Sequence, residues 1–570
     1  MKNAEVPDKR ETMFHFIHGY RKEQFAGLVK HNMFDKTSGL KLHQIRHTPD
    51  ELRFNVLARK DGELYSILKE NRSLFYIDRL QGGWWFLSYP YDRRLIEIYR
   101  EMLGENFLGF QMHEWASNMH NDWMRITGGQ PKPDGRYTPE EIEAAARSAD
   151  HNGNSNVFLE SASLREYAGM TYPFTEAQEL AQYDWLYRDR MQNTSGHLLP
   201  CDSYYMYPRK EIAAGTRALM PEVGAQIFHE RIQVALTRGM ARAYGCRWGM
   251  YYEPWGGDFI SCSYYKRDTV NEWGLRVSES VHWKGCTFTP NSGSSRELQK
   301  RIYYHALFSG ADFLSEEHGN ANTFYDWHDY ELSPYGKVKK DFLDFAADHR
   351  ELGDVFVPAV IVIPKEFEIF DLLYMDSGTE YLQRPVDPTL ATLFGVMRRV
   401  LMVIFGDGKA VHGNEGHCIC NSRFGDLFDI VYDDVPASAL DSYDLILDLS
   451  GHMGMLPAKT VLDGRKESGI RELEEQLVSY MPGGLQVSGA VSWTLNKYEN
   501  GYMLAVFNNE GILRSRARGT EILPGCEAEV TVSVNGYTPV PVMGDTPVME
   551  DGKFHLTVSP GNVAVYNLKP

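Results

Sequence analysis

The feature that most constrains this fold is an alternation of short apolar runs with longer helical patterns between about residues 13 and 320. Such alternation is typical of βα units around a parallel sheet. Eight strand-like runs over about 300 residues fit a closed (β/α)8 barrel better than an open sheet. The runs are Phe14 to Tyr20, Leu40 to His47, Leu74 to Leu80, Phe107 to Trp115, Asn156 to Ser161, His197 to Ser203, Trp248 to Glu253 and Ala311 to Glu316.

Helical patterns lie between these runs. One of them follows Thr138, with Glu141 three residues further on, which is the sequence signature of a capping box. The predicted helices are Arg93 to Leu103, Pro139 to Arg147, Glu176 to Met191, Val223 to Tyr244 and Arg296 to Phe308.

The period of the pattern changes twice after the barrel. A buried-strand run at Val357 to Pro364 opens a smaller α/β region, for which we expect an open, doubly wound, flavodoxin-like sheet. From about residue 485, apolar and polar residues alternate and turn signals recur, which predicts a small antiparallel β-sandwich. The expected domains are 1–354, 355–484 and 485–570.

Composition excludes several classes of protein. The net charge of −18 would repel a phosphate backbone, so nucleic acid is not an expected partner. The seven cysteines are an odd number and are sparse for a chain of this length, which argues against a disulfide framework. Cys418 and Cys420 lack the spacing of a zinc site, so we expect neither a metal site nor a cofactor.

The N-terminal residues contain no apolar segment of signal-peptide length, and no uninterrupted apolar stretch is long enough to span a membrane. We therefore expect no membrane association and a cytoplasmic location, or a secreted one if a signal peptide has been removed.

Carboxylates cluster at the ends of the predicted strands. Active sites of such barrels lie at the C-terminal ends of the strands, where Glu114 ends the fourth run and Glu253 the seventh. Two carboxyl groups are what cleavage of a glycosidic bond requires. If an early strand is miscounted, Glu160 replaces Glu114 and Glu316 replaces Glu253.

This arrangement resembles the clan A glycoside hydrolases, which carry an acid/base glutamate after strand 4 and a nucleophile after strand 7. A barrel, a flavodoxin-like domain and a small β domain occur in this order in the family 42 β-galactosidases. The resemblance implies a retaining, exo-acting β-glycosidase with Glu253 as nucleophile and Glu114 as acid/base. It also implies a homo-oligomer, possibly a trimer.

One departure concerns the sugar. Clan members usually have Asn before the acid/base, whereas this chain has His113. The alternatives to a β-galactoside are therefore another β-hexoside, such as a mannoside, a glucoside or a modified hexose, or binding of carbohydrate without catalysis. The candidates for substrate binding are Arg79, His113, Trp115, Asp202, Tyr204, Trp255, Glu316 and Glu160.

Overall fold

The structure is a computed structural model. It describes residues 13–20, 22–43, 62–78, 94–113, 119, 123–124, 126–148, 170–202, 207–225, 229–256, 259–260, 281–283, 286–288, 294–317, 323–325, 329–369, 388–406, 418–452, 456, 460–515 and 519–570.

Eight parallel strands close into a barrel, which confirms the predicted fold class. Each strand pairs with its neighbour in chain order, and the eighth returns to the first. The strands are β1 (His15–Gly19), β2 (Ser38–His43), β3 (Phe75–Asp78), β4 (Phe107–His113), β5 (Leu198–Asp202), β6 (Ala218–Gly224), β7 (Arg247–Glu253) and β8 (Phe313–Glu316).

The barrel interior is a packed core rather than a channel. Side chains alternate between the two faces of each strand, so every second residue points inward. The inward set forms one buried cluster, while the outward set packs against the helices. The inward cluster comprises Ile17, Leu74, Tyr76, Leu108, Leu199, Cys201, Ala218, Met220, Tyr251 and Phe313.

Helices cover the barrel. Thr138 and Glu141 form the predicted capping box, because the Thr138 amide donates to the Glu141 carboxylate and the Glu141 amide donates to the Thr138 hydroxyl. The helices are α1 (Lys22–Lys30), α2 (Glu63–Asn71), α3 (Arg94–Leu103), α4 (Pro139–Ser148), α5 (Glu176–Asn193), α6 (Pro208–Ala214), α7 (Glu230–Tyr244), α8 (Arg296–Phe308) and α9 (Pro334–Asp348). Short strands Trp255–Gly256, Phe259–Ile260, Val281–Trp283 and Cys286–Phe288 lie between β7 and β8.

Two predicted elements of the barrel were wrong. The run Asn156 to Ser161 lies outside the described residues, and the barrel closes without it. The sixth strand is β6, whose last residues had been assigned to the helix that begins at Glu230. The sequence continues from β6 into the helical pattern without a clear break, so that Val223 and Gly224 were assigned to the helix.

The two errors offset each other. One predicted strand is absent from the barrel and one real strand was missed, both between the fourth and the seventh. Glu253 therefore ends the seventh strand, as predicted, and the fourth strand ends at His113, the residue before Glu114. The alternative strand count, in which Glu160 and Glu316 carry the chemistry, is not supported.

The second unit is an open parallel sheet of flavodoxin-like order. Its strands are β9 (Ala359–Ile363), β10 (Phe428–Tyr432), β11 (Leu445–Asp448) and β12 (Thr460–Asp463), arranged β10-β9-β11-β12. Helices α10 (Pro388–Phe405) and α11 (Glu467–Tyr480) accompany this sheet.

Helix α10 is, among the described residues, the one helix long and apolar enough to cross a membrane by length and composition alone. Phe394, Met397, Leu401 and Ile404 on this helix are buried in the main hydrophobic cluster. This burial is the pattern of a core helix in a globular unit.

The C-terminal part is a sandwich of antiparallel sheets, as expected. One sheet has the order Asp354–Val355, Ser492–Tyr498, Gly501–Phe507, Val563–Lys569, Thr538–Met543, and the other Gln486–Ser488, Ala528–Ser533, Lys553–Val558, Val548–Glu550. Strands Ile512–Ser515 and Gly519–Ile522 form a separate hairpin. Short 3₁₀ helices occur at Gly104–Asn106, Lys365–Ile369, Ala437–Leu440 and Pro482–Gly484.

Buried ion pairs join the barrel to the second unit. Arg231 of α7 donates from Nε to Asp426 at 2.7 Å, and Arg238, two turns further along α7, donates from Nε to Asp429 at 2.6 Å. His305 of α8 bridges Glu230 (3.1 Å) and Asp426 (2.8 Å). Burial alone would lower the pKa of His305, but the two carboxylates outweigh it and raise this pKa to about 9.

The bridging histidine predicts a dependence of stability on pH. Because the pKa of His305 is about 9 in the folded protein and about 6.5 when unfolded, its contribution is complete below pH 6.5 and is lost as the pH rises through 9. The shift corresponds to about 3 kcal/mol. Urea unfolding at pH 6.5 and 9.5 should show this loss in the parent and not in His305→Gln. A His555→Gln control should retain the parent's pH dependence, and equal slopes in the parent and His305→Gln would contradict the assignment.

Candidate functional site

Glu253 ends β7 on the face that points into the barrel. Tyr251, two residues earlier, belongs to the inward cluster, so Glu253 shares its face. The Glu253 side chain is buried, with 2% of the residue exposed. The C-terminal end of the barrel therefore holds a desolvated carboxylate directed at its axis.

Gly224, the last residue of β6, makes room for this carboxylate. It pairs with Glu253 across the two strands. A Cβ at position 224 would lie 2.2 Å from the Glu253 carbonyl oxygen and 2.4 Å from its Oε1. Position 224 must be glycine for Glu253 to lie where it does, because there is no space for a side chain at position 224.

A buried ion pair lies on the opposite side of the barrel. The Lys41 ammonium of β2 donates to Asp78 Oδ2 of β3 at 2.9 Å, and both side chains are fully buried. Lys41 also contacts the Tyr251 hydroxyl at 3.3 Å and the Glu317 carbonyl oxygen at 3.3 Å. Lys41 thus connects β2, β3 and β7 to the chain that leaves β8.

Three further polar side chains meet beside this pair. His113 Nε2, at the end of β4, lies 3.8 Å from Glu222 Oε1 of β6. The Glu317 carboxylate joins them, so that one ligand atom from each residue lies within 4.8 Å of the others. The His113 ring also makes an edge contact with Tyr251, with the ring centroids 5.6 Å apart.

Asp202, a predicted substrate contact, lies on the other face of β5. The Tyr187 hydroxyl of α5 donates to Asp202 Oδ2 at 3.1 Å. Burial, and next the nearby Asp202 carboxylate, raise the pKa of Glu211 in α6 well above its usual value. Asp202 thus packs among helices outside the barrel, and the structure does not bring it to the interior-facing side chains.

Glu316 is also directed away from the interior. Its carboxylate accepts a hydrogen bond from Tyr303 of α8 and pairs with the Lys339 ammonium of α9 at 2.5 Å. These partners lie on helices packed outside β8, and the carboxylate has 2% side-chain exposure. The predicted role of Glu316 in substrate binding, or as an alternative nucleophile, is therefore not supported by its position.

The other predicted site residues lie outside the described part of the chain: Arg79, Glu114, Trp115, Glu160 and Tyr204, together with the side chain of Trp255, whose backbone forms a short strand. Among the described candidates, His113 and Glu253 face the interior.

Sequence reasoning missed Lys41 and Glu222 as members of this site. Glu222 was hidden because its strand was not recognised and the end of that strand was assigned to a helix. Lys41 sits within a predicted strand, but an isolated lysine there is usually read as solvent-facing. Every second residue of a barrel strand points inward, and counting in steps of two along the second strand would have placed Lys41 on the inward face.

No family model and no curated protein sequence matches the chain. A structural superposition with a catalytic mutant of Gan42B, a GH42 β-galactosidase from G. stearothermophilus, covers 99% of both chains, with 7% identity and a TM-score of 0.49. The cold-adapted β-galactosidase of Rahnella sp. R3 covers 99% of both chains, with 10% identity and a TM-score of 0.43. The superposition with the β-galactosidase of the haloarchaeon Halorubrum lacusprofundi covers 97% of this chain and 99% of that one, with 10% identity and a TM-score of 0.41.

The buried pair predicts a large effect of removing one partner. Lys41→Met leaves the Asp78 carboxylate buried without its ammonium, so we expect the free energy of unfolding to fall by about 3–5 kcal/mol. The double variant Lys41→Met/Asp78→Leu should recover most of this loss. Urea denaturation at pH 7 measures both. Lys22→Met, which breaks an exposed pair with Glu63, should change stability by less than about 1 kcal/mol. A loss that small for Lys41→Met would show that the pair does not stabilise the barrel end.

Proposed function

We propose that this protein is a retaining glycoside hydrolase that removes terminal β-linked hexosides, with β-galactosides as the first class to test. The observation that carries the proposal is Glu253, a buried, inward-facing carboxylate at the end of β7, on a barrel whose fourth strand is followed directly by Glu114. Paired carboxyl groups at the C-terminal ends of barrel strands are suited to glycosidic bond cleavage.

In the proposed reaction, Glu253 attacks the anomeric carbon while Glu114 donates a proton to the leaving oxygen. Glu114 then removes a proton from water, which attacks the covalent glycosyl intermediate and restores Glu253. This double displacement requires the two carboxyl groups to be about 5–5.5 Å apart. Gly224 supports the role of Glu253, since the absence of a side chain at position 224 leaves the space in which the carboxylate lies.

Glu253 is favoured over Glu316 as nucleophile because of the partners of each group. The Glu316 carboxylate is occupied by Tyr303 and Lys339 on the outside of the barrel. A nucleophile must reach the substrate, and a barrel substrate enters at the interior face of the strand ends. Glu253 lies on this interior face, because it is two residues after the inward-pointing Tyr251 on β7.

The choice of sugar depends on the residue that precedes Glu114. His113 stands where clan A enzymes usually carry Asn, and it lies beside Glu222 and Tyr251. Hydrogen bonds from an imidazole differ in reach from those of an amide. β-Mannosides, β-glucosides and modified hexosides are therefore the alternative substrates. A homo-oligomer, possibly a trimer of 65.2 kDa chains, and a cytoplasmic location stay predictions.

The proposal predicts a specific rescue experiment. On a panel of nitrophenyl β-glycosides, Glu253→Ala should lose at least about 10³-fold in kcat because the nucleophile is absent. Added azide should restore turnover and yield a glycosyl azide of inverted configuration, identified by NMR. With Glu114→Gln, azide should instead yield the azide of retained configuration, because the intermediate still forms on Glu253.

Glu316→Ala is the matched control, since it removes an equally buried carboxylate at the end of the neighbouring strand. It should show no azide rescue, whatever its effect on stability. Rescue by azide in Glu316→Ala and not in Glu253→Ala would transfer the nucleophile to Glu316. A parent protein without activity on every sugar of the panel would favour a carbohydrate-binding role.

The close approach at Gly224 gives a second functional prediction. Gly224→Ala should displace the Glu253 carboxylate by about 1 Å, and kcat/KM on the best nitrophenyl glycoside should fall by about 10²-fold. Gly395→Ala is the matched control, because a Cβ there meets only Arg399 at 3.8 Å. This control should leave kcat/KM unchanged and, as a helix substitution, should not lower the melting temperature. Equal kcat/KM values for Gly224→Ala and the parent would show that Glu253 does not take part in the reaction.

A further inference from the structure

Three side chains with metal-ligating atoms converge where three barrel strands end. His113 belongs to β4, Glu222 to β6, and Glu317 follows β8 directly. Their ligand atoms lie within 4.8 Å of one another, and the three residues are 3–4% exposed. The backbone of Glu317 is fixed, because Lys41 binds its carbonyl oxygen and its amide donates to Tyr252.

The donor atoms in this group are of two kinds. His113 offers an imidazole nitrogen, and Glu222 and Glu317 each offer a carboxylate oxygen. The His113 Nε2 and Glu222 Oε1 atoms lie 3.8 Å apart, at the same end of the barrel as the Lys41–Asp78 pair. Imidazole nitrogens and carboxylate oxygens are the usual ligands of transition-metal ions in proteins.

We propose that His113, Glu222 and Glu317 bind one divalent transition-metal ion. One imidazole nitrogen and two carboxylate oxygens form a donor set that suits Zn²⁺ or Mn²⁺. Ligand bonds of about 2.0–2.2 Å place donor atoms about 3–4 Å apart, so small side-chain rotations complete the site. A doubly charged ion would also be attracted by the two carboxylates.

The ion would have two effects on this chain. It would hold β4, β6 and the end of β8 together at the mouth of the barrel, and it would fix the His113 ring by binding one of its nitrogens. The binding proposal stands on these three residues and does not require that the protein hydrolyse glycosides.

The test is a titration of the tag-free, chelator-treated protein with ZnCl₂ and, separately, MnCl₂ by calorimetry. One ion per chain should bind for at least one metal, and the melting temperature should rise with its concentration. Glu222→Gln and Glu317→Gln should each weaken binding by at least about 10-fold. Glu105→Gln removes an exposed carboxylate at the opposite end of the barrel and should bind like the parent.

Absence of binding by the parent overturns the proposal, as does undiminished binding by Glu222→Gln and Glu317→Gln that retain the parent's circular dichroism. His113→Gln provides a third variant if either of these fails to fold. Hydrolysis of nitrophenyl glycosides is measured separately. Activity without metal binding removes only the metal site, and metal binding without activity removes only the proposed hydrolysis.

Discussion

Closure of eight parallel strands into a barrel imposes the constraint on which the rest of this molecule depends. Each strand can offer only every second side chain to the interior. Glu253, Glu222 and His113 have the inward parity, whereas Asp202 and Glu316 have the outward one and are bound by helices. Carboxylates that are all strand-end acids in the sequence thus point either into the barrel or toward the helices around it, according to their place in the alternation.

The order of the three structural units could be predicted from the sequence because each has its own hydrophobic period. The barrel site could be predicted only in part. Strands 1–5, 7 and 8 were recognisable as apolar runs, but the end of β6 was assigned to the helix that follows it, and with it Glu222 was lost. The alternation along β5 gives Asp202 its outward direction, but its contact with Tyr187, 15 positions away in the chain, could not be predicted from the sequence pattern.

Helix α7 explains how the strand that carries Glu253 is held. One face of α7 packs on the barrel, and its arginines are directed at the second sheet, where Asp426 and Asp429 bind them. Fully buried arginines are tolerated only with such partners. Gly239 of α7 allows the close approach, because a Cβ there would lie 2.3 Å from the Ile430 carbonyl oxygen. The second unit is therefore an integral support of the barrel.

The two layers of the barrel interior differ in a way that stability alone does not explain. The lower layer is apolar, with Ile17, Leu199 and Phe313 in contact, whereas the layer at the strand ends carries Lys41, Asp78, Glu222 and Glu253. Replacing buried ionic groups by apolar residues is often neutral or stabilising, so the polar layer has no advantage for folding. Departures from the most stable choice concentrate at functional sites. The contrast between the layers therefore supports the proposal that the ligand binds at the C-terminal end of the barrel.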